Sequence, residues 1–223
     1  MSDSPIDDVR LERKLAGRTV FLSASIPDSA RWSGPYDPLE ITDAVVAIGR
    51  ATLSAGARLV TAAHPTIAPL LLYVAAELPE RARSLVIVYQ SAVFDGRMPE
   101  AVSRFSDERI GTIIHTPAAP GEPPDPTRAP KSLAVMRSQM LTETRPDAAI
   151  FIGGMYGIPE EFALFTERRP ANPTYALGFP GGAARGLAET LDSPLRELLL
   201  GGTVYPTIAR AIVDDIEHRA PPR

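Results

Sequence analysis

Short apolar runs alternate with amphipathic stretches along almost the whole chain. Six runs are rich in aliphatic, aromatic and β-branched residues, as buried strands are, and they lie at residues 18–25, 57–64, 84–90, 111–117, 149–152 and 174–179. Between most of them, apolar residues recur at helical spacing, for example at Ile41, Ala44, Val45 and Ile48. Apolar strands that alternate with helices are typical of a parallel sheet covered on both faces. The pattern therefore predicts an α/β fold, a single domain with a doubly wound, mainly parallel, Rossmann-like sheet of about six strands.

The same pattern predicts how the chain is divided. We expect a polar N-terminal extension at residues 1–17 and one domain at residues 18–219, with no internal repeat. Pro65 and Pro159 are each expected at the first position of a helix, because the N–H that proline lacks would have no partner within the helix there. A short helix is expected at 99–109. The proline-rich loop at 118–130 should be extended and exposed.

Composition narrows the possible classes of function. Apolar residues make up 44% of the chain and charged residues 22%, as in ordinary globular proteins. The net charge of −4 offers no basic surface for nucleic acid or an anionic membrane. The absence of cysteine excludes thiolate chemistry, and three widely spaced histidines disfavour a metal site. Because we also find no signal peptide and no apolar run of ~20 residues, we expect a cytoplasmic protein with no metal, cofactor, nucleic-acid partner or membrane partner.

Polar residues and glycines follow the predicted strands. In doubly wound sheets the ligand binds beyond the carboxyl ends of the strands, where the strand order reverses. Ser23 and Ser25 end the first predicted strand and could bind a phosphate or ribose, although capping the local turn is an equal alternative. His64 follows the second strand and is placed for the same contacts, although a histidine bonded within its own turn is the more usual case.

The turn after the fifth strand reads "IGGMYGIPEEF". Gly153, Gly154 and Gly157 would let the backbone approach a ligand closely, and the helix N-terminus that follows suits a phosphate. An ordinary strand-to-helix connection explains the same glycines. In that case Glu160 and Glu161 only complement the helix dipole.

The turn after the sixth strand, "FPGGAAR", also has a glycine pair directly before a predicted helix. Gly181 and Gly182 precede a helix, and Arg185 near its start is the candidate second phosphate ligand. Neither turn carries the G-x-G-x-x-G fingerprint or a P-loop lysine, which disfavours a dinucleotide-dependent dehydrogenase and a P-loop NTPase.

Two further groups of residues point to a charged or aromatic ligand. Arg137 projects from the apolar face of the helix "KSLAVMRSQMLTET", and a buried cation needs an anionic partner. It forms either a structural ion pair or a phosphate contact beside Glu161. Arg31 and Trp32, in the loop after the first strand, would cover a base by stacking, or Trp32 would simply anchor a surface loop.

The segments "SLAVMRSQM" and "DAAIFIGGMYGIPEEF" resemble the paired motifs of the LOG-type nucleotide enzymes. Together with "TVFLSASIP" and "FPGGAAR", they make residues 18–200 similar in element order to the wider SLOG superfamily. That group joins LOG enzymes, DprA-like proteins and the nucleotide-sensing domains of bacterial conflict systems and TRPM channels. The resemblance implies a nucleotide-derived ligand and, if the protein is an enzyme, catalysis by Glu161 and Arg137.

The chain departs from the LOG motif at several positions. Ile152 stands where the motif has proline, one extra residue precedes Gly157, and Ile158 replaces a threonine. The motif glutamate maps to Glu160 or Glu161, and we prefer Glu161 because it shares a helix face with apolar residues. Such changes weaken an enzyme more than a binding protein, because catalysis tolerates displaced groups poorly.

Three functions remain open. The first is a sensor that binds a nucleotide or an ADP-ribose-like molecule and reports through a partner or a homo-oligomer built from the terminal helices. The second is a hydrolase that cleaves the N-glycosidic bond of a nucleoside monophosphate, with Glu161 as acid/base and Arg137 holding the 5′-phosphate. The third is a structural domain with a vestigial pocket.

Overall fold

A computed structural model describes residues 13–95, 105 and 107–220. The strands are β1 (Thr19–Ser25), β2 (Arg58–Ala62), β3 (Val86–Ser91), β4 (Thr112–Thr116), β5 (Ala148–Gly153) and β6 (Thr174–Leu177). The helices are α1 (Pro38–Ser54), α2 (Ile67–Glu77), α3 (Glu80–Arg83), α4 (Pro130–Thr144), α5 (Gly157–Arg168), α6 (Ala183–Thr190), α7 (Arg196–Gly201) and α8 (Tyr205–Arg219). Short 3₁₀ turns lie at Ala92–Phe94 and Pro126–Arg128.

The strands form one parallel sheet in the order β4-β3-β2-β1-β5-β6. The chain builds outward from β1 to β4 and then returns to place β5 on the other side of β1. The strand order therefore reverses between β1 and β5, which are paired up to Ser25 and Gly153. The predicted α/β fold with a doubly wound, parallel sheet is confirmed. The reversal also indicates where a ligand crevice should open.

Helices cover both faces of this sheet. Helices α1, α2 and α8 pack on one face, where Val20 and Leu22 of β1 are fully buried, and α4, α5 and α6 pack on the other, where Phe21 is fully buried. Because alternate residues of a strand share a face, Ser23 lies on the same face as Phe21. This places its hydroxyl beneath α4 and α5.

Two predicted helix starts are wrong by two residues. Helix α2 begins at Ile67 rather than at Pro65, since the side chain of His64 contacts the Thr66 hydroxyl at 2.9 Å and holds residues 64–66 in a turn. Helix α5 begins at Gly157, and Pro159 lies within its first turn, where its missing N–H leaves no intrahelical bond unmade.

The remaining predicted segments differ in how far the structure describes them. The loop at 118–130 contains the 3₁₀ turn Pro126–Arg128, and Asp125 caps this turn by accepting from the Thr127 amide at 3.0 Å. Most of the predicted helix at 99–109 lies outside the described residues. So does most of the predicted extension, but Leu15 within it is fully buried in the core. Among the described residues, no helix combines the length and apolar character required to cross a bilayer.

Candidate ligand-binding site

A cavity of about 330 Å³ opens at the carboxyl ends of β1 and β2, between the loop after β1 and the starts of α4 and α5. Its volume is at the lower end of the range for small-molecule sites. Seven of the residues selected from the sequence line it, namely Ser23, Ser25, Arg31, His64, Arg137, Gly157 and Glu161. The fold therefore brings together residues that are far apart in the chain, at the point where the strand order reverses.

Glu161 is the buried carboxylate of this cavity. It is only 7% exposed, and its Oε1 accepts from Arg137 Nε at 2.9 Å. Its Oε2 accepts from the Ser23 hydroxyl at 2.5 Å. Both oxygens thus have a donor, and charge-assisted bonds of this kind are stronger than neutral ones. The carboxylate is fixed by one residue of β1 and one of α4.

Arg137 is the cation that holds this carboxylate. Its Nη1 donates to Glu160 Oε2 at 2.6 Å, but the Glu160 side chain is 63% exposed, so water can readily replace that contact. Nη2 has no acceptor within the described residues and lies against Gly157, where an added Cβ would stand 2.9 Å away. The guanidinium group therefore has one buried ion pair, one exposed ion pair and one unused nitrogen.

The paired glycines make close contacts between chain segments and do not line the cavity. Gly153, Gly154, Gly181 and Gly182 all have positive φ, between +62° and +81°. A Cβ on Gly182 would stand 2.5 Å from the Gly153 carbonyl carbon, and one on Gly181 would stand 2.3 Å from the Pro35 carbonyl oxygen. The turns after β5 and β6 and the loop before α1 pack backbone against backbone here. A side chain on Gly181 or Gly182 would push them apart.

Arg185 is also placed away from the cavity. It is exposed on α6 and pairs with Glu189 at 3.1 Å. A different cation lies at the cavity: Arg31, in the loop after β1, lines it and is exposed. Arg31 has no anionic partner within the described part of the chain. Arg31 is therefore better placed than Arg185 to bind a negatively charged ligand.

The loop after β1 is tied to the turn after β5. The Asp28 amide donates to Met155 Sδ at 3.4 Å, and Tyr156 Oη donates to the Arg31 carbonyl at 3.2 Å. The rings of Trp32 and Tyr156 meet edge to face, with 5.9 Å between their centroids. Met155 and Tyr156 line the cavity but were not selected from the sequence. The sequence did contain a hint of their role, because the turn has one residue more than the LOG motif between Gly154 and Gly157. That longer segment is the one that carries Met155 and Tyr156 to the cavity.

His64 is a neutral donor at the cavity. Burial lowers the pKa of its imidazole to about 4. Its Nδ1 lies 2.9 Å from the Thr66 hydroxyl and accepts from the Thr66 amide at 3.4 Å, which favours the neutral tautomer with the proton on Nε2. Near neutral pH the cavity therefore has an uncharged imidazole whose Nε2–H is available to donate a hydrogen bond.

One comparison with known protein families agrees with the sequence motifs. The model of the SLOG cluster3 family matches residues 31–211. A crystal structure of TM1055, a structural genomics target, is similar at 14% identity with a TM-score of 0.38, covering 80% of this chain and 88% of that one. No curated protein matches the chain. The family match confirms the resemblance to the SLOG superfamily, whose domains are Rossmann-like and nucleotide-related. This chain belongs to the SLOG cluster3 family.

Proposed function

We propose that the protein binds a nucleotide or a nucleotide-derived, ADP-ribose-like molecule in the cavity at the carboxyl ends of β1 and β2, and that it acts as a sensor of this ligand. The supporting observation is the convergence of the unpaired Arg31, the partly available Arg137 and the neutral donor His64 on one cavity where the strand order reverses. Cations, hydroxyls and a neutral imidazole match the phosphate and ribose groups of such a ligand.

Charge around Arg137 determines how a phosphate enters. Arg137 and Arg31 carry two positive charges, and Glu160 and Glu161 carry two negative ones. Glu161 is buried with a donor on each oxygen, whereas Glu160 is exposed and bonded only to Arg137. A phosphate therefore replaces Glu160 at Nη1 and gains the unused Nη2. Glu161 stays in place and keeps the guanidinium oriented.

Uncharged donors complete the site. The Ser25 hydroxyl lines the cavity and makes no hydrogen bond within the described residues, and His64 retains its Nε2–H. These groups are suited to ribose hydroxyls or phosphate oxygens. Ser23 is not free for this role because its hydroxyl is bonded to Glu161. The serine available to a ligand is therefore Ser25.

Calorimetric titration with nucleoside monophosphates and ADP-ribose tests the proposal, together with mass spectrometry of small molecules that co-purify with the protein. Arg31→Ala should weaken binding at least tenfold, whereas Glu160→Gln should strengthen it because a competing carboxylate is removed. The exposed Arg185→Ala is the matched control and should bind as the wild type does. Wild-type protein that binds none of these compounds would contradict the proposed function.

An N-glycosidic hydrolase is the second candidate, and the position of Glu161 favours it. A buried carboxylate that lines the cavity and is fixed on both oxygens can stabilise the positive charge that develops on a ribose ring as its base departs. Release of free base from nucleoside monophosphates, lost in Glu161→Gln, is the expected result. If wild-type protein binds nucleotides but releases no base, only the binding function stands.

A sensor must pass on the information that its ligand is bound, and we propose that this protein does so through a contact between copies in a homo-oligomer. A second cavity, of about 750 Å³, lies between α1 and the start of α8 and is bordered by Asp43, Val204 and Arg210. Val204 is 61% exposed. Asp43 and Arg210 have no ion pair within the described residues. In a two-fold contact, Asp43 of one copy can meet Arg210 of the other, so this apolar groove suits a second copy of the chain.

A further inference from the structure

Tyr156 is an aromatic side chain that is fixed in place although most of its surface is uncovered. It is 62% exposed and lines the cavity. Its hydroxyl donates to the Arg31 carbonyl, and its ring contacts Trp32 at an interplanar angle of 69°. Both contacts come from the loop after β1. They fix the ring's orientation and leave much of it open at the mouth of the cavity.

The backbone that carries Tyr156 is also fixed. Tyr156 directly precedes α5 and already has helical φ and ψ of −58° and −24°. On its N-terminal side, the Gly154 amide donates to the Ser25 carbonyl at 2.7 Å. The facing loop is organised by Asp28, whose Oδ1 accepts from the Ala30 amide at 2.9 Å. A ring held on two sides in this way loses little freedom when a ligand binds it.

We propose that Tyr156 is the stacking platform for the base of the bound nucleotide, an inference that rests on the proposed function. Stacking on an exposed aromatic ring is a way of holding a base that does not depend on which base it is. The base lies at the mouth of the cavity against Tyr156. The phosphate and ribose face Arg31, Arg137 and His64, so the two halves of the ligand have separate subsites.

Trp32 provides an optical reporter for this contact. It is the only tryptophan in the chain, and its ring lies 5.9 Å from that of Tyr156. The indole Nε1–H is buried and has no acceptor within the described residues, so packing rather than a hydrogen bond holds the ring. A base that stacks on Tyr156 is therefore expected to change the emission of Trp32.

The test compares ligands with and without a base. The four common ribonucleoside monophosphates and ribose 5-phosphate are titrated by calorimetry and by Trp32 fluorescence, against wild-type protein, Tyr156→Leu and Tyr156→Phe. Tyr156→Leu should weaken nucleotide binding roughly tenfold and leave ribose 5-phosphate binding within about twofold. Tyr156→Phe keeps the ring and should retain most of the nucleotide affinity. Phe179→Leu, which alters an aromatic residue that is 43% exposed and outside the cavity, is the control.

The outcomes separate this inference from the proposed function. If wild-type protein binds nucleotides and Tyr156→Leu binds them equally well, or loses ribose 5-phosphate to the same extent, the stacking role of Tyr156 is wrong and the binding function stands. If wild-type protein binds neither these five compounds nor ADP-ribose, the proposed function fails and the inference fails with it.

Discussion

Gly157 lies directly against the guanidinium group of Arg137: a Cβ added to Gly157 would stand 2.9 Å from Nη2. The same guanidinium donates through Nε to Glu161, four residues further along α5. Gly157, unlike Gly153 and Gly154, does not have a positive φ. Its contribution is therefore the absence of a side chain, which leaves room for the cation of a neighbouring helix to reach the cavity.

Gly157→Ala should separate ligand binding from stability. The methyl group displaces the flexible end of Arg137, and alanine favours the helix by up to ~1 kcal/mol over glycine. The free energy of unfolding should therefore stay within about 1 kcal/mol of the wild-type value, while nucleotide affinity falls several-fold because Nη2 is moved. Urea denaturation and calorimetric titration measure the two quantities. A variant that binds as well as the wild type would show that the position of Nη2 is unimportant.

Arg137→Ala should reduce stability as well as binding. It removes the charged partner of a carboxylate that is only 7% exposed and leaves Ser23 as its remaining donor. An uncompensated buried charge is expensive, so we expect a loss of roughly 2–3 kcal/mol in the free energy of unfolding. Urea denaturation is the measurement.

A double variant tests the cause of this loss. Arg137→Ala combined with Glu161→Gln removes the unpaired charge and should recover about half of the lost stability, because glutamine can still bond to Ser23. No recovery would mean that the packing of the arginine stem, rather than the ion pair, supplies the stabilisation. Arg185→Ala, which breaks an exposed pair on α6, should change stability by no more than about 0.5 kcal/mol.

The sequence predicted the sheet well because parallel strands buried on both faces are continuous apolar runs. It also placed Arg137 on an apolar face, and the structure supplies the anionic partners that such a cation requires. The roles of Gly153 and Gly182 could not be predicted in the same way. A glycine that admits a ligand and one that admits another backbone look alike in sequence, and only the three-dimensional crossing of the two turns distinguishes them. Arg185 was misleading for a different reason: Glu189 lies four residues further along the same predicted helix, and this spacing favours an ion pair within α6 over a ligand contact.

His64 should make stability depend on pH below neutrality. Burial lowers the pKa of His64 to about 4, whereas the unfolded chain has a histidine pKa of about 6.5. Between these values the unfolded state binds the proton and the folded state does not, so the free energy of unfolding falls as the pH drops through this window. His64→Asn, which retains an acceptor for the Thr66 amide, should reduce this slope. His115→Asn, at an exposed position on β4, is the control, and urea denaturation across the window is the measurement.

Because the pKa of His64 is lowered in the free protein, we also expect proton uptake when a ligand binds. A phosphate near the imidazole stabilises its charged form and raises the pKa of His64 from about 4 toward its ordinary value. Below about pH 6, binding of a nucleoside monophosphate should therefore take up a proton, and calorimetry in buffers of different ionisation enthalpy measures the number taken up. Wild-type uptake that persists in His64→Asn would assign the proton to another group.

Val204→Asp should disrupt the proposed homo-oligomer without weakening the fold. Val204 is 61% exposed at the groove between α1 and α8, so a carboxylate there places a charge in an apolar contact between copies. Val204 is also the N-cap residue of α8 and makes no side-chain cap, and aspartate is among the preferred residues at that position. Light scattering coupled to size-exclusion chromatography should show a dimer for the wild type and a monomer for the variant, with an unchanged or higher unfolding midpoint.

Val135→Glu, on α4 at the opposite face of the sheet, should remain dimeric. A wild-type protein that is monomeric at all concentrations, or a Val204→Asp variant that stays dimeric, would exclude this groove as the contact, and a sensor would then need a different protein at this surface or an interface elsewhere on the domain.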